Sequence, residues 1–211
     1  MLALSQAGRR VIGLDWDAQV LSFARQSSRG RLPLLRTDMR SFRLGAAFAF
    51  IYSPCNTYST FTPAERRTIL RRVAAHLQPG GGFAFSIPNP ISLQQLPHAA
   101  PAEVEDTFPH PGDGEPVQVS AAWSRSGNRF RLEWIYDHLL PDGSIERTIA
   151  ATSHDLSGPA VYRQELQQAG LSILGAYGDY DLSPFDSQSS PYLILVARYG
   201  APLPGSAQPD F

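Results

Sequence analysis

Short strand-like segments alternate with helical segments through the first 90 residues, and this alternation constrains the fold more than any other feature of the chain. The strand-like segments are Val11–Leu14, Leu34–Arg36, Phe48–Tyr52 and Phe83–Ile87. Apolar runs of this kind are typical of strands whose two faces are both covered by other parts of the protein. Because strands and helices alternate, the sequence predicts βαβ units, an α/β fold and a mostly parallel sheet.

A strong capping signal marks the helix between the third and fourth of these strands. Residues 62–65 read Thr-Pro-Ala-Glu, a capping box with proline at the first helical position. The apolar stripe that follows ends near Gln78, where Pro79–Gly82 is predicted to turn the chain into the fourth strand. Asp17 is the predicted N-cap of an earlier helix over residues 18–26.

The pattern changes after Pro88. Residues 88–116 are rich in proline, alanine and acidic residues, which predicts a long loop or a mobile flap. Residues 117–152 alternate apolar and polar side chains, which predicts antiparallel strands that turn at Pro141–Gly143. The last elements are predicted to be a helix over residues 159–169 and strands over residues 171–177 and 192–199.

Length and composition fit one globular domain. The chain has 211 residues, of which 43% are hydrophobic and 18% charged. We expect a single domain over residues 1–199, with an antiparallel lid or insertion over residues 117–152 and a disordered tail over residues 200–211. The net charge of -1 gives no reason to expect nucleic acid or a membrane surface as a partner.

Other side chains exclude several classes of site. The chain has no lysine, so a catalytic lysine is excluded. Its single cysteine, Cys55, cannot form an internal disulfide, which favours a reducing, cytoplasmic location. The five histidines are scattered without ligand spacing, so no metal site is predicted. One helix carries a basic face that is predicted to be solvated rather than to bind nucleic acid, formed by Arg66, Arg67, Arg71 and Arg72.

Two carboxylates follow predicted parallel strands. Asp15 comes directly after the first strand, and Asp38 comes shortly after the second. Ligands of open α/β sheets bind at this carboxyl edge, where a carboxylate commonly accepts hydrogen bonds from ribose hydroxyls. The pair therefore suits a ligand that contains adenosine. The alternative is that each aspartate caps the helix or turn that follows it.

Five segments resemble, in their order and spacing, those of a known family. They are Val11–Asp15, Thr37–Phe42, Phe48–Asn56, Leu77–Gly81 and Ser86–Pro90. The chain resembles the class I S-adenosylmethionine-dependent methyltransferases, in particular the members that act on small molecules. The resemblance implies a Rossmann-like sheet with an antiparallel last strand. It also implies that the antiparallel insertion covers the carboxyl edge and forms the acceptor pocket.

The resemblance implies S-adenosylmethionine as the cofactor and gives roles to residues at the carboxyl edge. Asp15 would hold the ribose diol, with Trp16 packing beside the adenine. Asp38 would accept a hydrogen bond from the adenine amino group, and Met39 would donate from its backbone amide. Trp16 could instead cover the edge of the core, and Met39 could fill an irregular gap.

Residues further along this edge would face the methionine part of the cofactor and the acceptor. Ser53 and Pro54 follow the third strand and would contact the methionine part. Four residues are candidates to orient a small-molecule acceptor, namely Asn56, Tyr58, Asn89 and Trp134. Tyr58 fits a packing aromatic equally well, and Trp134 could belong to the core of the insertion. The sequence does not decide between N, O and C as the methylated atom.

A catalytic residue is needed only for some acceptors. The sulfonium is already activated, so the protein mainly aligns the acceptor and excludes water. A general base matters only where the acceptor must lose a proton during attack. His154, just past the antiparallel strands, is the candidate base. A lone histidine is more often structural, which is the alternative for His154.

One departure from the family pattern stands at the beginning of the chain. The family opens with a strand and a glycine-rich loop that approaches the cofactor, whereas this sequence begins with a predicted helix that ends near Ala7. The glycines at 80–82 follow a helix and precede a strand, which is the reverse of the required order. We expect either a start at an internal methionine, which is favoured, or a short, degenerate chain. Both would impair cofactor binding.

Two further functions remain open from the sequence. A nicotinamide dinucleotide-binding protein shares the carboxylate after the second strand, although Asp38 and the Pro79–Gly81 turn argue against it. A non-catalytic interaction protein could retain this sheet after losing the cofactor site. The oligomeric state is not fixed by the sequence, and a homodimer is one alternative.

Overall fold

The computed structural model describes residues 1–200 of the chain, which form helices and strands in alternation. The helices are α1 (Leu2–Gln6), α2 (Ala18–Ser27), α3 (Pro63–His76), α4 (Pro90–Gln95) and α5 (Pro159–Gln168). The strands are β1 (Gly13–Asp15), β2 (Leu34–Arg36), β3 (Phe48–Ser53), β4 (Leu77–Pro88), β5 (Ala99–Pro109), β6 (Pro116–Ser126), β7 (Arg129–Leu139), β8 (Ile145–Asp155), β9 (Leu171–Tyr177) and β10 (Tyr192–Tyr199). A 3-10 turn over Thr57–Thr60 follows β3. The predicted tail lies outside the described residues beyond Gly200.

The strands form three sheets, and together with the helices they confirm the predicted α/β fold class. In the first sheet β1 is parallel to β2, and the second has the strand order β3-β4-β10-β9. In the second sheet β3 is parallel to β4, whereas β10 is antiparallel to both of its neighbours. The parallel strands with an antiparallel last strand therefore match the architecture that the sequence predicts.

The two parallel pairs are not joined by backbone hydrogen bonds within residues 1–200. There, β1 pairs only with β2, and β3 pairs only with β4, so each has one edge without a strand partner. Phe50, in the middle of β3, is 51% exposed. This edge contrasts with β4, which is paired on both sides and whose apolar residues are buried.

The helix signals of the sequence are confirmed. Asp17 accepts hydrogen bonds from the backbone amides of Gln19 and Val20 and so caps α2. Both hydrogen bonds of the capping box at the start of α3 are present. The hydroxyl of Thr62 accepts from the backbone amide of Glu65, and the carboxylate of Glu65 accepts from the backbone amide of Thr62.

The main core lies between the second sheet and the helices α3 and α5. Fully buried apolar side chains from all three elements meet there, among them Ile69, Leu70, Phe83, Leu166 and Leu195. The apolar stripe of α3 supplies two of them, as the helical periodicity predicts. Burial of each such side chain stabilises the fold by about 1.5–3 kcal/mol.

The segment before the insertion differs from its prediction. Residues 88–116 do not form a loop, because α4 and β5 lie within them. β5 pairs with β6 in antiparallel register, so the third sheet has the order β5-β6-β7-β8 and runs from Ala99 to Asp155. The prediction failed because β5 is almost wholly exposed and carries proline and acidic residues, which hide the alternation that marks a strand.

One arginine of the predicted solvated face is instead fully buried. Arg66 forms ion pairs with Glu165 at 2.8 Å and with Asp155 at 3.0 Å, and its guanidinium lies 4.5 Å from the ring centre of Tyr162. The network joins α3 to α5 and to the end of β8. The prediction for Arg66 was wrong because sequence periodicity does not show which charged side chain finds buried partners.

No helix within residues 1–200 is both long enough and apolar enough to cross a membrane.

Candidate active site

The carboxyl ends of β2 and β3 lie on the same side of the domain. Arg40, in the turn after β2, donates a 2.6 Å hydrogen bond to Glu65 in the first turn of α3. The chain reaches that turn of α3 from the end of β3 through the 3-10 turn over Thr57–Thr60. Because β1 is parallel to β2, with Asp15 opposite Arg36, the carboxyl ends of these two strands lie together, and the contact of Arg40 with Glu65 joins them to the start of α3.

Asp15 and Trp16 stand at the end of β1. One carboxylate oxygen of Asp15 accepts a 2.9 Å hydrogen bond from the amide of Asp17. Within residues 1–200 no protein donor contacts its second oxygen, which is thus available to a ligand. The indole of Trp16 is 71% exposed beside it, an unusual position for so large an apolar side chain. The exposure argues against Trp16 as a cover for the core edge.

Asp38 is engaged by a neighbour that the sequence did not single out. Its two oxygens accept hydrogen bonds from the guanidinium of Arg40, the shortest at 2.6 Å, and from the Arg40 backbone amide at 2.7 Å. These bonds hold the pKa of the Asp38 carboxyl below its usual value. An adenine amino group at this position would share the carboxylate with Arg40. Met39, between them, is partly buried and packs against the main core.

The turn after β3 is strained. Ser53 ends the strand and is buried, Pro54 is exposed, and Cys55 and Asn56 both have a φ of 60°. Non-glycine residues in this left-handed region cost about 1–3 kcal/mol each and cluster at functional sites. The side-chain oxygen of Asn56 is buried without a hydrogen-bond partner in the described part of the chain. That oxygen is an acceptor left free for a ligand donor.

His154 meets this turn. Its Nδ1 atom lies 2.8 Å from the hydroxyl of Ser59, and both side chains are buried. Ser59 gives its single hydroxyl hydrogen to the backbone carbonyl of Asn56, at 2.9 Å. With that hydrogen donated to Asn56, we assign Nδ1 of His154 as the N–H that donates to Ser59, which leaves the lone pair on Nε2. Burial, and secondly the positive charge of Arg129, lower the pKa of His154.

Arg129 belongs to the same region. Its Nη2 atom donates to the backbone carbonyls of Ser153, at 3.3 Å, and Thr60, at 3.5 Å. Nη1 is buried and has no hydrogen-bond partner within residues 1–200. The guanidinium thus links the insertion to the 3-10 turn after β3, and its charge adds to the effect of burial in lowering the pKa of His154.

Two predicted acceptor residues have structural positions. Tyr58 is buried in the core, with its ring centre 4.3 Å from that of Phe85, and burial raises the pKa of its hydroxyl well above the usual value. The amide of Asn89 donates to the carbonyls of Ser187 and Ser190 and accepts from the amide of Ile91. Both side chains are used by the fold, which differs from their predicted contact with the acceptor.

Trp134 lines a groove on one face of the insertion. The groove holds about 340 Å³ and also contains Phe108 and Tyr136 as aromatic walls. A register irregularity between Val104 and Asp106 brings the consecutive carboxylates of Glu105 and Asp106 into its lining. Aromatic faces beside carboxylates suit a cationic group.

The groove and His154 share a strand face. Phe130 is paired with His154 across β7 and β8, and Trp134 lies four residues further along β7. Every second residue of a strand points to the same side, so Trp134 and Phe130 share one face about 14 Å apart. The groove and the row of His154 therefore lie on the same face of the insertion.

Comparison with known proteins finds similarity to methyltransferases. The profile of a family described as a methyltransferase domain matches residues 1–81. The chain is also 25% identical to the cypemycin N-terminal methyltransferase of a Streptomyces species over 198 residues, which cover 93% of this chain and 77% of that protein. Residues 1–81 thus match a methyltransferase domain, and the chain is similar to a methyltransferase over most of its length. S-adenosylmethionine is accordingly the cofactor of this methyltransferase.

Solved structures share the fold of the methyltransferase. The CcbJ methyltransferase of Streptomyces caelestis superimposes with a TM-score of 0.78 at 20% identity, over 94% of this chain and 78% of that one. An amino pentose methyltransferase of Micromonospora echinaspora, solved with S-adenosylmethionine bound, gives 0.69 at 20% identity, over 93% and 77%. The neighbours support the Rossmann-like architecture expected from the sequence.

The residues at the carboxyl edge fit this cofactor. The free carboxylate oxygen of Asp15 can accept from a ribose hydroxyl, and the exposed indole of Trp16 offers a face to the adenine. Neither group has another partner within residues 1–200 that would have to be displaced there. The cofactor roles of Asp15 and Trp16 stay predictions that these positions are compatible with.

Other members of the site were not foreseen. Ser59, Arg40 and Arg129 act through contacts that span 95, 25 and 69 positions of the sequence. No local pattern marks a serine as the partner of a distant histidine. The strain at Cys55 and Asn56, in the turn that precedes Ser59, is likewise visible only in the structure.

Proposed function

We propose that this methyltransferase transfers the methyl group to an amino nitrogen of a small-molecule acceptor such as an amino sugar or a short peptide. When bound, S-adenosylmethionine supplies a methyl group that is already activated by its sulfonium. The residues of the chain then have to bind the acceptor, remove its proton and exclude water. The observation that carries the proposal is the hydrogen bond between Ser59 and His154 beside the strained turn.

An amine needs the base that His154 offers. Aliphatic amines are largely protonated near pH 7 and cannot attack a methyl group until they lose a proton. Nε2 of His154 carries a lone pair in the tautomer that Ser59 imposes, and it can take that proton. The buried side-chain oxygen of Asn56 can accept a second N–H of the same amine and so orient it.

The groove supports an acceptor that extends beyond a single amino group. Trp134, Tyr136 and the neighbouring carboxylates of Glu105 and Asp106 suit a cationic or hydroxyl-rich part of the acceptor. Because the groove begins about 14 Å from the row of His154, it would contact a distant part of the molecule rather than the methylated nitrogen.

The names of two relatives agree with an amine acceptor. One relative is named for the N terminus of cypemycin and another for an amino pentose. Both names describe molecules that carry an amino group. We extend this feature to the present chain as part of the proposal.

Methyl transfer from labelled S-adenosylmethionine tests the proposal. We would incubate the protein with S-adenosylmethionine that carries a labelled methyl group and with matched pairs of acceptors. Each pair would contain an amino sugar or a short peptide and the same molecule with hydroxyl or acetamide in place of the amine. The proposal predicts labelled product from the free amines only, identified as N-methylated by mass spectrometry.

The same experiment separates the alternatives. Label on the hydroxyl analogues at an equal rate would contradict an amine acceptor while leaving methyl transfer intact. Absence of label from every acceptor, in a protein that still binds the cofactor, would favour the non-catalytic interaction protein. The cytoplasmic location and a homodimeric state stay predictions.

A further inference from the structure

Two histidines and an aspartate meet at one corner of the insertion, away from the proposed acceptor nitrogen. Nδ1 of His110 lies 3.0 Å from a carboxylate oxygen of Asp113, and Nε2 of His138 lies 3.1 Å from the other oxygen. The three candidate donor atoms all fall within 4.8 Å of one another. The two imidazole rings are 4.1 Å apart between centres.

The strand pairing builds this corner from distant parts of the sequence. His110 and Asp113 lie in the turn between β5 and β6, which is closed by a 2.7 Å hydrogen bond from the amide of His110 to the carbonyl of Glu115. His138 lies near the end of β7, opposite Val117 in the register. Sequence spacing alone gave no metal signal because the third ligand follows 25 residues after the second.

We propose that His110, Asp113 and His138 bind a divalent transition-metal ion of the zinc class. Two imidazole nitrogens and one carboxylate oxygen form a borderline donor set that suits zinc and its neighbours, whereas magnesium and calcium prefer oxygen donors alone. In a tetrahedral zinc site with bonds of 2.0–2.2 Å, neighbouring donor atoms lie about 3.4 Å apart. The distances of 3.0 and 3.1 Å from the imidazoles to Asp113 need only small adjustments to match.

The surroundings support a preorganised site. The amide of Glu115 donates a 3.1 Å hydrogen bond to the carboxylate of Asp113, which fixes its direction. Gly112 packs against the ring of His110, where an added Cβ would come within 3.1 Å of the imidazole. Solvent reaches the site because the His110 side chain is 39% exposed, so an ion can enter and water can complete its coordination.

The ion would link the β5–β6 turn to β7. His138 shares a strand face with Tyr136, and Phe108 on β5 lies in the same row, because Val117 of the intervening β6 is opposite both His138 and Phe108. Bound metal would therefore hold together the outer end of the groove. Since an ion that binds only the folded state stabilises it, metal binding is expected to raise the unfolding temperature.

Calorimetric titration of the metal-stripped protein with zinc chloride tests this inference. We expect one zinc ion per chain for the wild type and no measurable binding of magnesium at the same concentration. Changes in residues that only support a metal ligand weaken affinity by about 10–100-fold, so loss of a ligand in His138→Ala or Asp113→Asn should weaken it by at least about tenfold. His98→Ala is the matched control, because His98 is an exposed histidine outside the cluster, and it should bind as the wild type does.

Thermal unfolding provides the second measurement. Zinc should raise the unfolding temperature of the wild type and of His98→Ala, and should leave that of His138→Ala unchanged. Circular dichroism of each variant without metal checks that it is folded. The inference is overturned if the wild type binds no stoichiometric zinc, or if His138→Ala and His98→Ala bind it equally.

Discussion

Ser59 and His154, 95 positions apart in the sequence, share a 2.8 Å hydrogen bond that joins the turn after β3 to the last strand of the insertion. The bond matters because the hydroxyl of Ser59 is already committed to the carbonyl of Asn56. It therefore accepts from Nδ1 and leaves Nε2 of His154 as the basic nitrogen. In a site where cofactor and acceptor segments meet, this single contact decides which atom can take a proton.

Ser59→Ala should lower the rate of methyl transfer without weakening cofactor binding. The variant removes the acceptor for Nδ1–H, so the imidazole loses its fixed tautomer and orientation. We expect kcat to fall roughly tenfold or more, which is a part of the about 10²–10⁴-fold that general-base catalysis contributes in total. Thr60→Ala is the control, since Thr60 has a similar hydroxyl that bonds only within its own turn. Equal rates for wild type and Ser59→Ala would remove the role given to this bond.

His154 should also give the reaction its pH dependence. Burial and the charge of Arg129 lower its pKa below the usual 6.5, and only the neutral form accepts a proton. The value of kcat/KM should rise with pH as His154 loses its proton around the lowered pKa. This rising limb of the pH profile should level off above pH 6.5. His154→Gln should abolish the limb. A limb that persists in His154→Gln would assign it to another group.

The same shift predicts how stability changes with pH. The pKa of His154 is lower in the folded protein than in the unfolded chain, so the unfolded chain binds more protons between the two values. The contribution to stability is present above pH 6.5 and is lost as the pH falls through the folded-state pKa. Unfolding in urea at several pH values, for the wild type and for His154→Gln, measures this difference. Identical pH profiles for the two proteins would contradict the lowered pKa.

Arg66→Ala should destabilise the fold strongly. It would leave Asp155 and Glu165 buried without their cation, and removal of one partner of a buried ion pair costs about 3–5 kcal/mol. For a domain of this size the unfolding temperature should fall by roughly 6–20 °C. Arg67→Ala, on the exposed side of the same helix, should change the free energy of unfolding by less than about 0.5 kcal/mol. Similar unfolding temperatures for the two variants would contradict the network.

The groove is tested by Asp106→Asn. If Asp106 contacts a cationic part of the acceptor, its neutral variant should raise KM for the acceptor several-fold and leave kcat nearly unchanged. Glu133→Gln is the control, because Glu133 alternates with Trp134 along β7 and so points to the opposite face. A rise in KM of the same size in both variants would indicate a general loss of negative charge rather than contact in the groove.

The sequence predicted those parts of the fold that have local signals. The capping box at Thr62 and the N-cap at Asp17 place two helices to within a residue or two, because caps are formed by neighbours. β5 was missed because an exposed edge strand rich in proline and acidic residues has no apolar face to reveal it.

The residues of the candidate site likewise fall into those that have a local sequence signal and those that have none. Asp15 ends a strand, which is a local signal for a candidate cofactor residue, and the role of the neighbouring Trp16 comes from the family resemblance. Ser59 and Arg129 could not be predicted, because their contacts with the strands of the insertion depend on long-range pairing. Asn89 was given to the acceptor because it follows a strand, whereas the fold uses its amide to hold a distant loop.

Calorimetric titration with the demethylated cofactor product tests the central claim most directly, using the wild type, Asp15→Ala and the carboxylate control Glu133→Ala. The charge-assisted hydrogen bonds of Asp15 to a ribose are worth about 1–3 kcal/mol, so Asp15→Ala should weaken binding by roughly 5–150-fold. Glu133→Ala should bind as the wild type does. Unchanged binding by Asp15→Ala would contradict the cofactor site at the carboxyl end of β1.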